Sequence, residues 1–327
     1  MGKKKLGFEI GNATDVGCVR EHNEDSFACM EPVGRKQAAE RGFLLVVCDG
    51  MGGAVGGKTA SGIAAEAIPE VYYSSNHSHA SAALEEAIRD ANRRIFKRAK
   101  DEPDLSGMGT TTVAAAISGG KALIAHVGDS RCYLIRDGEI GQVTEDHTIV
   151  QKMVSEGLLT PEQARNHPEG HILSRSVGVA ADLEIDLQEP IELREGDALL
   201  LCSDGLTGLV DDAEILDAAS SKRPQEAAGN LIELAKERGG PDNITVQIIR
   251  AVIGSPAKHG DTTMTTTIRT KALRPRRWPV LVTILIILLL LAAAGLWLVW
   301  LYEFIDFNSL LNIDWIPTPP EHLPPLK

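Results

Sequence analysis

The feature that most constrains this chain is a long uncharged segment near its C-terminal end. Residues 278–302 (WPVLVTILIILLLLAAAGLWLVWLY) contain no charged side chain. As a helix this segment would be about 37 Å long at roughly 1.5 Å per residue, whereas the apolar core of a bilayer is about 30 Å thick. Trp278 at one end, and Trp297, Trp300 and Tyr302 at the other, suit the two membrane interfaces. The segment therefore predicts a single transmembrane helix.

The charges on either side of this segment predict its orientation. Lys and Arg residues are concentrated just before it, whereas Glu303 and Asp306 follow it. Because positively charged flanks stay in the cytoplasm, we expect residues 1–253 to form a cytoplasmic domain of a single-pass protein of the cell membrane. Residues 254–277 then form a Thr-rich, basic tether, and residues 303–327 form a short Pro-rich tail outside the cytoplasm.

The domain that precedes the tether is strongly acidic. The chain has a formal net charge of −12, of which the tether carries +5 and residues 301–327 carry −3, so residues 1–253 carry −14. An acidic surface argues against a nucleic-acid-binding protein, because a phosphate backbone requires basic surface. The five scattered cysteines include no Cys-x-x-Cys pair, which argues against a disulfide scaffold or a zinc ribbon.

Short apolar runs and amphipathic segments predict the fold of this domain. The predicted strands are 43–48, 111–117, 122–127, 132–135, 198–202 and 244–251. The predicted helices are 58–73, 81–100, 213–219 and 224–238. Strands and helices do not alternate regularly, and the Arg-Asp-Gly turn at 136–138 joins two strands too tightly for a crossover. We therefore predict an α+β sandwich with outer helices and not a doubly wound parallel sheet.

Four acidic turns lie next to these elements. They are residues 20–25 (REHNED), Asp49-Gly50, Ser203-Asp204-Gly205 and Pro241-Asp242-Asn243. One Asp-Gly pair is an ordinary turn, but four such sites at strand ends favour a metal-binding set. Oxygen ligands without a His or Cys cluster suit Mg²⁺ or Mn²⁺ and not zinc. Two such ions about 4 Å apart can share a carboxylate and activate water for in-line attack, and Arg20 can hold a phosphate through two hydrogen bonds.

Seven motifs extend this pattern over about residues 8–252. They are TDVGCVREHNEDSF (14–27), VVCDGMGGAVGGKTAS (46–61), MGTTTV (108–113), HVGDSRCYLIRDGEI (126–140), TEDHT (144–148), LCSDGLTGLVDD (201–212) and GGPDNITV (239–246). In this order they resemble the metal-dependent protein phosphatases of the PP2C type. The resemblance implies an α/β/β/α sandwich of two antiparallel sheets flanked by helices, with a variable flap at 151–175. It also implies hydrolysis of phosphoserine and phosphothreonine in cytoplasmic proteins by a water that two metals activate, and a cognate Ser/Thr protein kinase.

The resemblance assigns metal ligands by position. Asp49 would bridge two ions, Mn²⁺ or Mg²⁺. Asp204 and Asp242 would hold the first ion, and Glu24 and the Gly50 carbonyl would complete the second, directly or through water.

Three further roles follow from the same resemblance. Asp129 would share a third, weaker ion with Asp204. Asp25 would orient a metal-bound water, and Arg20 would bind the substrate phosphate.

The chain departs from the family at the proton donor for the leaving group. Bacterial relatives commonly carry a histidine where Ala54 stands, and eukaryotic relatives carry one where Met51 stands. A metal-bound water and His147 are the two alternatives that remain. Since the metal ligands are complete, we expect an active enzyme.

A non-catalytic sensor or scaffold that uses the same fold is the alternative hypothesis. The retention of Glu24, Asp49, Asp204 and Asp242 argues against it, because a scaffold has no use for desolvated carboxylates.

Overall fold

The computed structural model describes residues 6–32, 40–165 and 167–253, together with Trp297. The predicted tether, transmembrane helix and tail lie outside the described residues, apart from Trp297. Within the part of the chain that is described, no helix is long and apolar enough to cross a membrane. The described residues up to Ile253 belong to one compact unit.

Antiparallel strands make up the centre of this unit. In chain order they are β1 (Leu6–Asp15), β2 (Ser26–Met30), β3 (Phe43–Cys48), β4 (Gly50–Met51), β5 (Gly109–Thr110), β6 (Thr112–Ser118), β7 (Lys121–Val127), β8 (Arg131–Arg136), β9 (Glu139–Gln142), β10 (Asp186–Leu187), β11 (Ile191–Glu192), β12 (Ala198–Cys202) and β13 (Ile244–Ile253). One sheet has the order β1-β13-β12-β8-β9, and the other has the order β10-β7-β6-β3-β2 with β11 also beside β7. Within the described residues, β4 pairs with β5 alone.

Helices cover the outer faces of both sheets. They are α1 (Ala54–Ser74), α2 (Ala80–Asp101), α3 (Ile149–Ser155), α4 (Pro161–Arg165), α5 (Asp204–Thr207), α6 (Asp212–Ser221) and α7 (Pro224–Glu237), with a 3₁₀ turn at Pro103–Leu105. The long helices α1 and α2 pack on the sheet that contains β3, and α6 and α7 pack on the sheet that contains β13.

β3 shows why the central strands are continuous apolar runs. Leu44 and Val46 point into the layer between their sheet and the helices α1 and α2. Leu45 and Val47 point into the layer between the two sheets. Because both faces are buried, neither face can be polar. The predicted α+β sandwich of two antiparallel sheets flanked by helices is confirmed.

Local turn chemistry explains where two predicted elements begin and end. The predicted hairpin at 136–138 is present, with Asp137 at φ 54° and Gly138 at φ 82° and Arg136 paired with Glu139. These positive φ values are those of the tight turns that join antiparallel strands. Helix α1 starts at Ala54, four residues before the predicted start at Lys58, because the helix follows directly on Gly53, whose φ is 83°.

β1 is the longest element that the sequence patterns do not predict. Its residues, LGFEIGNATD, are half-buried for most of their length and show no clean alternation. Close packing against α7 explains a glycine here, since a Cβ at Gly11 would overlap the backbone of Pro224. The Gln225 side chain then bonds both the N–H and the carbonyl of Asn12. The strand is set by its neighbours and not by its own hydrophobic pattern.

Candidate metal centre

The stacking of the two sheets brings the predicted acidic residues together at one end of the sandwich. Asp49 directly follows β3, while Asp204 follows β12 and Asp242 precedes β13. Glu24 and Asp25 lie in the turn before β2. Since β3 and β12 belong to different sheets, each sheet supplies part of the group. Asp129, in the turn between β7 and β8, belongs to the same group. Its charge contributes to the raised pKa of Asp49.

Asp25 has one oxygen held by the protein and one oxygen without a partner. The Ser203 and Thr245 hydroxyls donate to Asp25 Oδ2 at 2.8 and 2.6 Å. Asp25 Oδ1 is buried and has no hydrogen-bond partner among the described residues. Burial raises the pKa of Asp25 to about 7, although the two hydroxyl bonds oppose this rise. The free oxygen is therefore available to a ligand or a water.

The roles of Ser203 and Thr245 were not foreseen from the sequence. Ser203 stood in one of the acidic turns without an assigned function, and Thr245 is one residue of an ordinary strand. The only signal that could have found Ser203 is its place beside Asp204, and nothing in the sequence marks Thr245 as a partner of Asp25.

Asp49, Asp129 and Asp204 keep part of their surface exposed, but enough protein surrounds them for desolvation to dominate. Burial, followed by the Asp25 and Asp204 charges, raises the pKa of Asp49 well above its ordinary value. Burial and Asp204 raise the pKa of Asp129 to about 8. The Asp49 and Asp204 carboxyls interact directly with each other, and Asp204 Oδ1 is buried without a hydrogen-bond partner among the described residues.

These observations test whether the group suits metal ions. Carboxylates that are partly removed from water and repel one another are unfavourable unless a cation neutralises them. The donors are all oxygens, and two buried oxygens lack a partner within the described structure. Such a set fits hard divalent ions of the Mg²⁺ or Mn²⁺ type. The residues therefore fit the predicted metals.

Glu24 and Gly50, the two predicted ligands of the second ion, meet at the start of α1. The Glu24 N–H donates to Asn243 Oδ1 at 2.8 Å, which ties this turn to the loop that carries Asp242. A Cβ added at Gly57 would overlap Glu24 Oε2 and would come within 2.8 Å of the Gly50 carbonyl oxygen. Both oxygens thus face the same side-chain-free position of α1.

Arg20 lies on the solvent side of the acidic group. Its Nη2 donates to Asp242 Oδ2 at 2.8 Å, and its Nη1 is 3.9 Å from Glu24 Oε1. The side chain is 47% exposed. A guanidinium has five N–H donors, so the Arg20 side chain can hold Asp242 and still present donors to an anion at the opening of the group.

His147 belongs to a separate cluster with His126 and Asp186. Its Nδ1 accepts the Gly128 N–H at 3.1 Å, and its Nε2 is 3.3 Å from Asp186 Oδ2. The two imidazole rings stack with centroids 4.5 Å apart, and burial lowers the pKa of His147 to about 4. The ring is therefore neutral near pH 7, and Nε2, although close to Asp186, has no hydrogen-bond partner among the described residues. This arrangement disfavours His147 as the proton donor of the acidic group.

The same cluster has a donor set that resembles a metal site. One ligand atom from each of His126, His147 and Asp186 lies within 4.8 Å of the others. However, the Gly128 N–H bond to Nδ1 leaves the ring proton of neutral His147 on Nε2, and a protonated nitrogen has no lone pair for a metal. We interpret the cluster as a structural contact in which His147 is hydrogen-bonded to the turn at Gly128 and approaches the segment around Asp186.

The metal-free protein is expected to lose thermal stability as the pH rises from about 6.5 to about 8. The folded-state pKa values of Asp25 (about 7) and Asp129 (about 8) exceed the ordinary value of 3.8. In this window the folded state binds protons that the unfolded state has released, so stability falls with rising pH. The lowered pKa values of His126 and His147 act in the opposite direction, but their effect is smaller, because histidines of the unfolded chain are already about half neutral at pH 6.5.

The measurement is the melting temperature in EDTA at both pH values. We expect a fall of at least about 3 °C, since about 1 kcal/mol shifts Tm by about 2–4 °C in a domain of this size. The variant Asp129→Asn should show a smaller fall. A melting temperature that stays constant or rises across this window would contradict the assignment.

The comparisons with known proteins agree with this geometry. Residues 19–229 match the family described as Protein phosphatase 2C. The chain is 39% identical over 253 residues to the serine/threonine protein phosphatase PstP of Mycobacterium tuberculosis, over 77% of this chain and 46% of that protein. It is 37% identical over 241 residues to the serine/threonine phosphatase stp of Listeria innocua, over 72% of this chain and 93% of that protein. The chain therefore spans about half the length of the mycobacterial relative and nearly all of the Listeria relative.

A solved structure shows the same architecture. The catalytic domain of PstP in complex with two manganese ions is 39% identical, has a TM-score of 0.66, and matches 76% of this chain and 100% of that domain.

Proposed function

Because the chain belongs to the protein phosphatase 2C family, we propose that it hydrolyses phosphoserine and phosphothreonine in proteins with two divalent ions in its acidic centre. The observation that carries this proposal is the set of buried and half-buried carboxyls with raised pKa values beside Arg20, in which Asp25 Oδ1 and Asp204 Oδ1 have no partner among the described residues. The manganese-bound PstP domain supports Mn²⁺, and the all-oxygen donor set is equally suited to Mg²⁺.

The chain's own residues can be divided between the ions. We propose that Asp49 serves both ions, that Asp204 and Asp242 hold the first, and that Glu24 and the Gly50 carbonyl complete the second. Asp129 would help Asp204 to hold a third, weaker ion. When bound, the ions supply a nucleophilic water near neutral pH and neutralise charge on the phosphoryl group.

The remaining groups position the reactants. Arg20, fixed by Asp242, donates hydrogen bonds to the phosphate oxygens. Asp25 Oδ1 accepts a hydrogen bond from the attacking water, because the Ser203 and Thr245 hydroxyls occupy only Oδ2. A P–O bond forms to the water oxygen while the P–O bond to the Ser or Thr side chain breaks. Met51 and Ala54 carry no proton to give, so the leaving oxygen takes its proton from water.

The direct test is the release of phosphate from phosphopeptides by the full-length protein in detergent. We expect Mn²⁺ to support turnover of phosphothreonine and phosphoserine peptides, and EDTA to abolish it. No release with any phosphopeptide or aryl phosphate at millimolar Mn²⁺ would refute the proposal. If calorimetry also showed no Mn²⁺ binding, the scaffold hypothesis would be favoured.

Replacement of Arg20 by Ala is expected to lower kcat/KM for a phosphopeptide about 100-fold. The reason is the loss of charge-assisted hydrogen bonds to the phosphate, each contributing about 1.5–3 kcal/mol. The conservative Arg20→Lys should recover part of this loss, because it keeps the charge but not the two-bond geometry. Arg93→Ala, which removes an exposed arginine from α2, serves as the control.

Mn²⁺ affinity should be measured for the same variants, since Arg20 also contacts Asp242. An unchanged kcat/KM in Arg20→Ala would show that Arg20 does not bind the phosphate.

We further propose that residues 278–302 anchor the protein in the cell membrane with the catalytic domain in the cytoplasm, where it opposes a cognate Ser/Thr protein kinase. The uncharged length of the segment and the basic residues before it support this topology. Deletion of 278–302 should move the protein from the membrane fraction to the supernatant. Retention in the membrane fraction after this deletion would contradict the anchor.

A further inference from the structure

We propose that a groove beside the metal centre binds an aliphatic side chain of the substrate, close in sequence to the phosphorylated residue, with a basic side chain next to it. The inference rests on the proposed phosphatase function and specifies the class of phosphoprotein that this site accepts. The groove has a volume of about 650 Å³ and runs from Met51 along residues 171–184.

The groove presents apolar side chains to solvent next to a polar centre. Met51, Ile172 and Val179 line it and are 36%, 37% and 47% exposed. Val179 and Met51 approach each other across Gly109, since a Cβ at Gly109 would meet both side chains. Single exposed apolar residues are common on protein surfaces, but a contiguous concave patch marks a binding site.

One wall of the groove is fixed by hydrogen bonds to the fold. Val177 exchanges two backbone hydrogen bonds with Thr110. The Asn92 side chain on α2 donates to the Ala180 carbonyl at 2.9 Å and accepts the Gly178 N–H at 2.6 Å. These bonds hold Val179 in place without help from a ligand. The pocket is therefore largely formed before the substrate arrives, and little ordering opposes binding.

The opposite side of the groove is also tied to the sandwich. Ile149 donates its N–H to the Ile172 carbonyl, and Ser174 donates its N–H to the His147 carbonyl. Thr148 and Leu173 form an isolated bridge. Both sides of the groove thus have defined positions relative to the acidic group.

Continuity with the metal centre identifies the occupant as substrate polypeptide. Met51 directly follows Gly50, whose carbonyl faces Glu24 at the start of α1, so the groove opens one residue away from the acidic group. An extended chain advances about 3.3–3.6 Å per residue. A phosphoresidue bound at the acidic group would therefore place a near neighbour over the groove that begins at Met51.

The rim of the groove gives the preference for a basic neighbour. Asp182 and Glu184 line the groove and are exposed. Arg175, the one Lys or Arg residue among the described lining, is engaged with Asp186 at 2.7 Å and Glu184 at 3.4 Å. The rim thus offers acceptors to an Arg or Lys side chain that lies beside the aliphatic one.

The experiment uses the full-length protein with phosphothreonine peptides that carry one leucine, in turn, at each of three positions on either side of the phosphoresidue. Each peptide is compared with its serine counterpart, and p-nitrophenyl phosphate measures the chemistry without a peptide. We expect leucine at one position to raise kcat/KM about tenfold, which corresponds to about 1.4 kcal/mol. In Val179→Ser this preference should fall below about threefold, through KM. Leu158→Ser, which removes an apolar residue that is 67% exposed outside the groove, should keep it.

Asp182→Asn provides an independent measurement. It should reduce the preference for arginine beside the leucine while the leucine preference remains. Equal rates for all peptides, or a leucine preference that survives in Val179→Ser, would overturn the groove proposal but leave the phosphatase function intact. A faster turnover of p-nitrophenyl phosphate in Val179→Ser would also overturn it. Such a gain would mean that a segment of the chain itself occupies the groove, restricts access to the metal centre and is released by the substitution. No turnover of any substrate by the unmodified protein would instead refute the function.

Discussion

Asp49→Asn is expected to lower the Mn²⁺-dependent rate of phosphate release at least about 1,000-fold, a rise of about 4 kcal/mol in the activation barrier. Asp49 directly follows β3 and is acted on by the charges of Asp25, Asp129 and Asp204. A residue in this central position contributes to both proposed ions at once. Asn keeps the size of the side chain but loses its charge, so the change tests the ligand and not the packing.

A second readout separates this role from a structural one. Burial and neighbouring carboxyls raise the pKa of Asp49, which means that its charge destabilises the metal-free fold at pH 7. Asp49→Asn should therefore raise the melting temperature in EDTA while it weakens stabilisation by Mn²⁺. Asp217→Asn, an exposed aspartate on α6, should change neither property. A near-normal rate in Asp49→Asn would exclude the bridging role.

Gly57→Ala is expected to reduce Mn²⁺ affinity and turnover by about 10- to 100-fold, the cost typical of disturbing the support of a metal ligand. A Cβ at Gly57 would overlap Glu24 Oε2, so the Glu24 carboxylate must leave its position. Alanine is the better helix former, and helix propensity alone would therefore predict a stabilised and fully active protein.

Gly62→Ala is the matched control in the same helix. Nothing lies within 4 Å of a Cβ at Gly62. This variant should keep its activity and gain about 0.5–1 kcal/mol of stability, because glycine inside a helix is unfavourable. If Gly57→Ala behaved like Gly62→Ala in both Mn²⁺ affinity and turnover, the Glu24 carboxylate would not contribute to metal binding.

The sequence predicts the sandwich and most of the acidic group because those features leave local patterns. β3 and β12 are continuous apolar runs; Asp49 follows β3 directly, and Asp204 follows β12 after one residue. β1 left no such pattern, since its position depends on contacts with α7 and β13. The Thr245 hydroxyl reaches Asp25 across 220 positions of sequence. Such a contact depends on the stacking of two sheets, which no short window of sequence contains.

The groove could not be predicted for a related reason. Val179 and Met51 are far apart in the chain and meet only because Val177 pairs with Thr110 and Met51 pairs with Gly109. The family resemblance implies a variable flap at 151–175, whereas the fixed wall of the groove lies just beyond it at 177–183. Hydrogen bonds from Asn92 and Arg89 on α2 fix the position of this wall. Neither residue is distinguishable by sequence pattern from other polar residues of an amphipathic helix.

The strand order has a consequence for how this protein is made. Among the described strands, β13 is the last in the chain; it lies between β1 and β12, and β1 has no other sheet neighbour there. β1, which is synthesised first, can therefore pair only after β13 has been synthesised. Asp242 is synthesised just before β13. Pairing of such distant segments is slow. A nascent chain that stops before Asp242 has neither a closed sheet nor a complete set of ligands, so metal loading can begin only once nearly the whole domain has been synthesised.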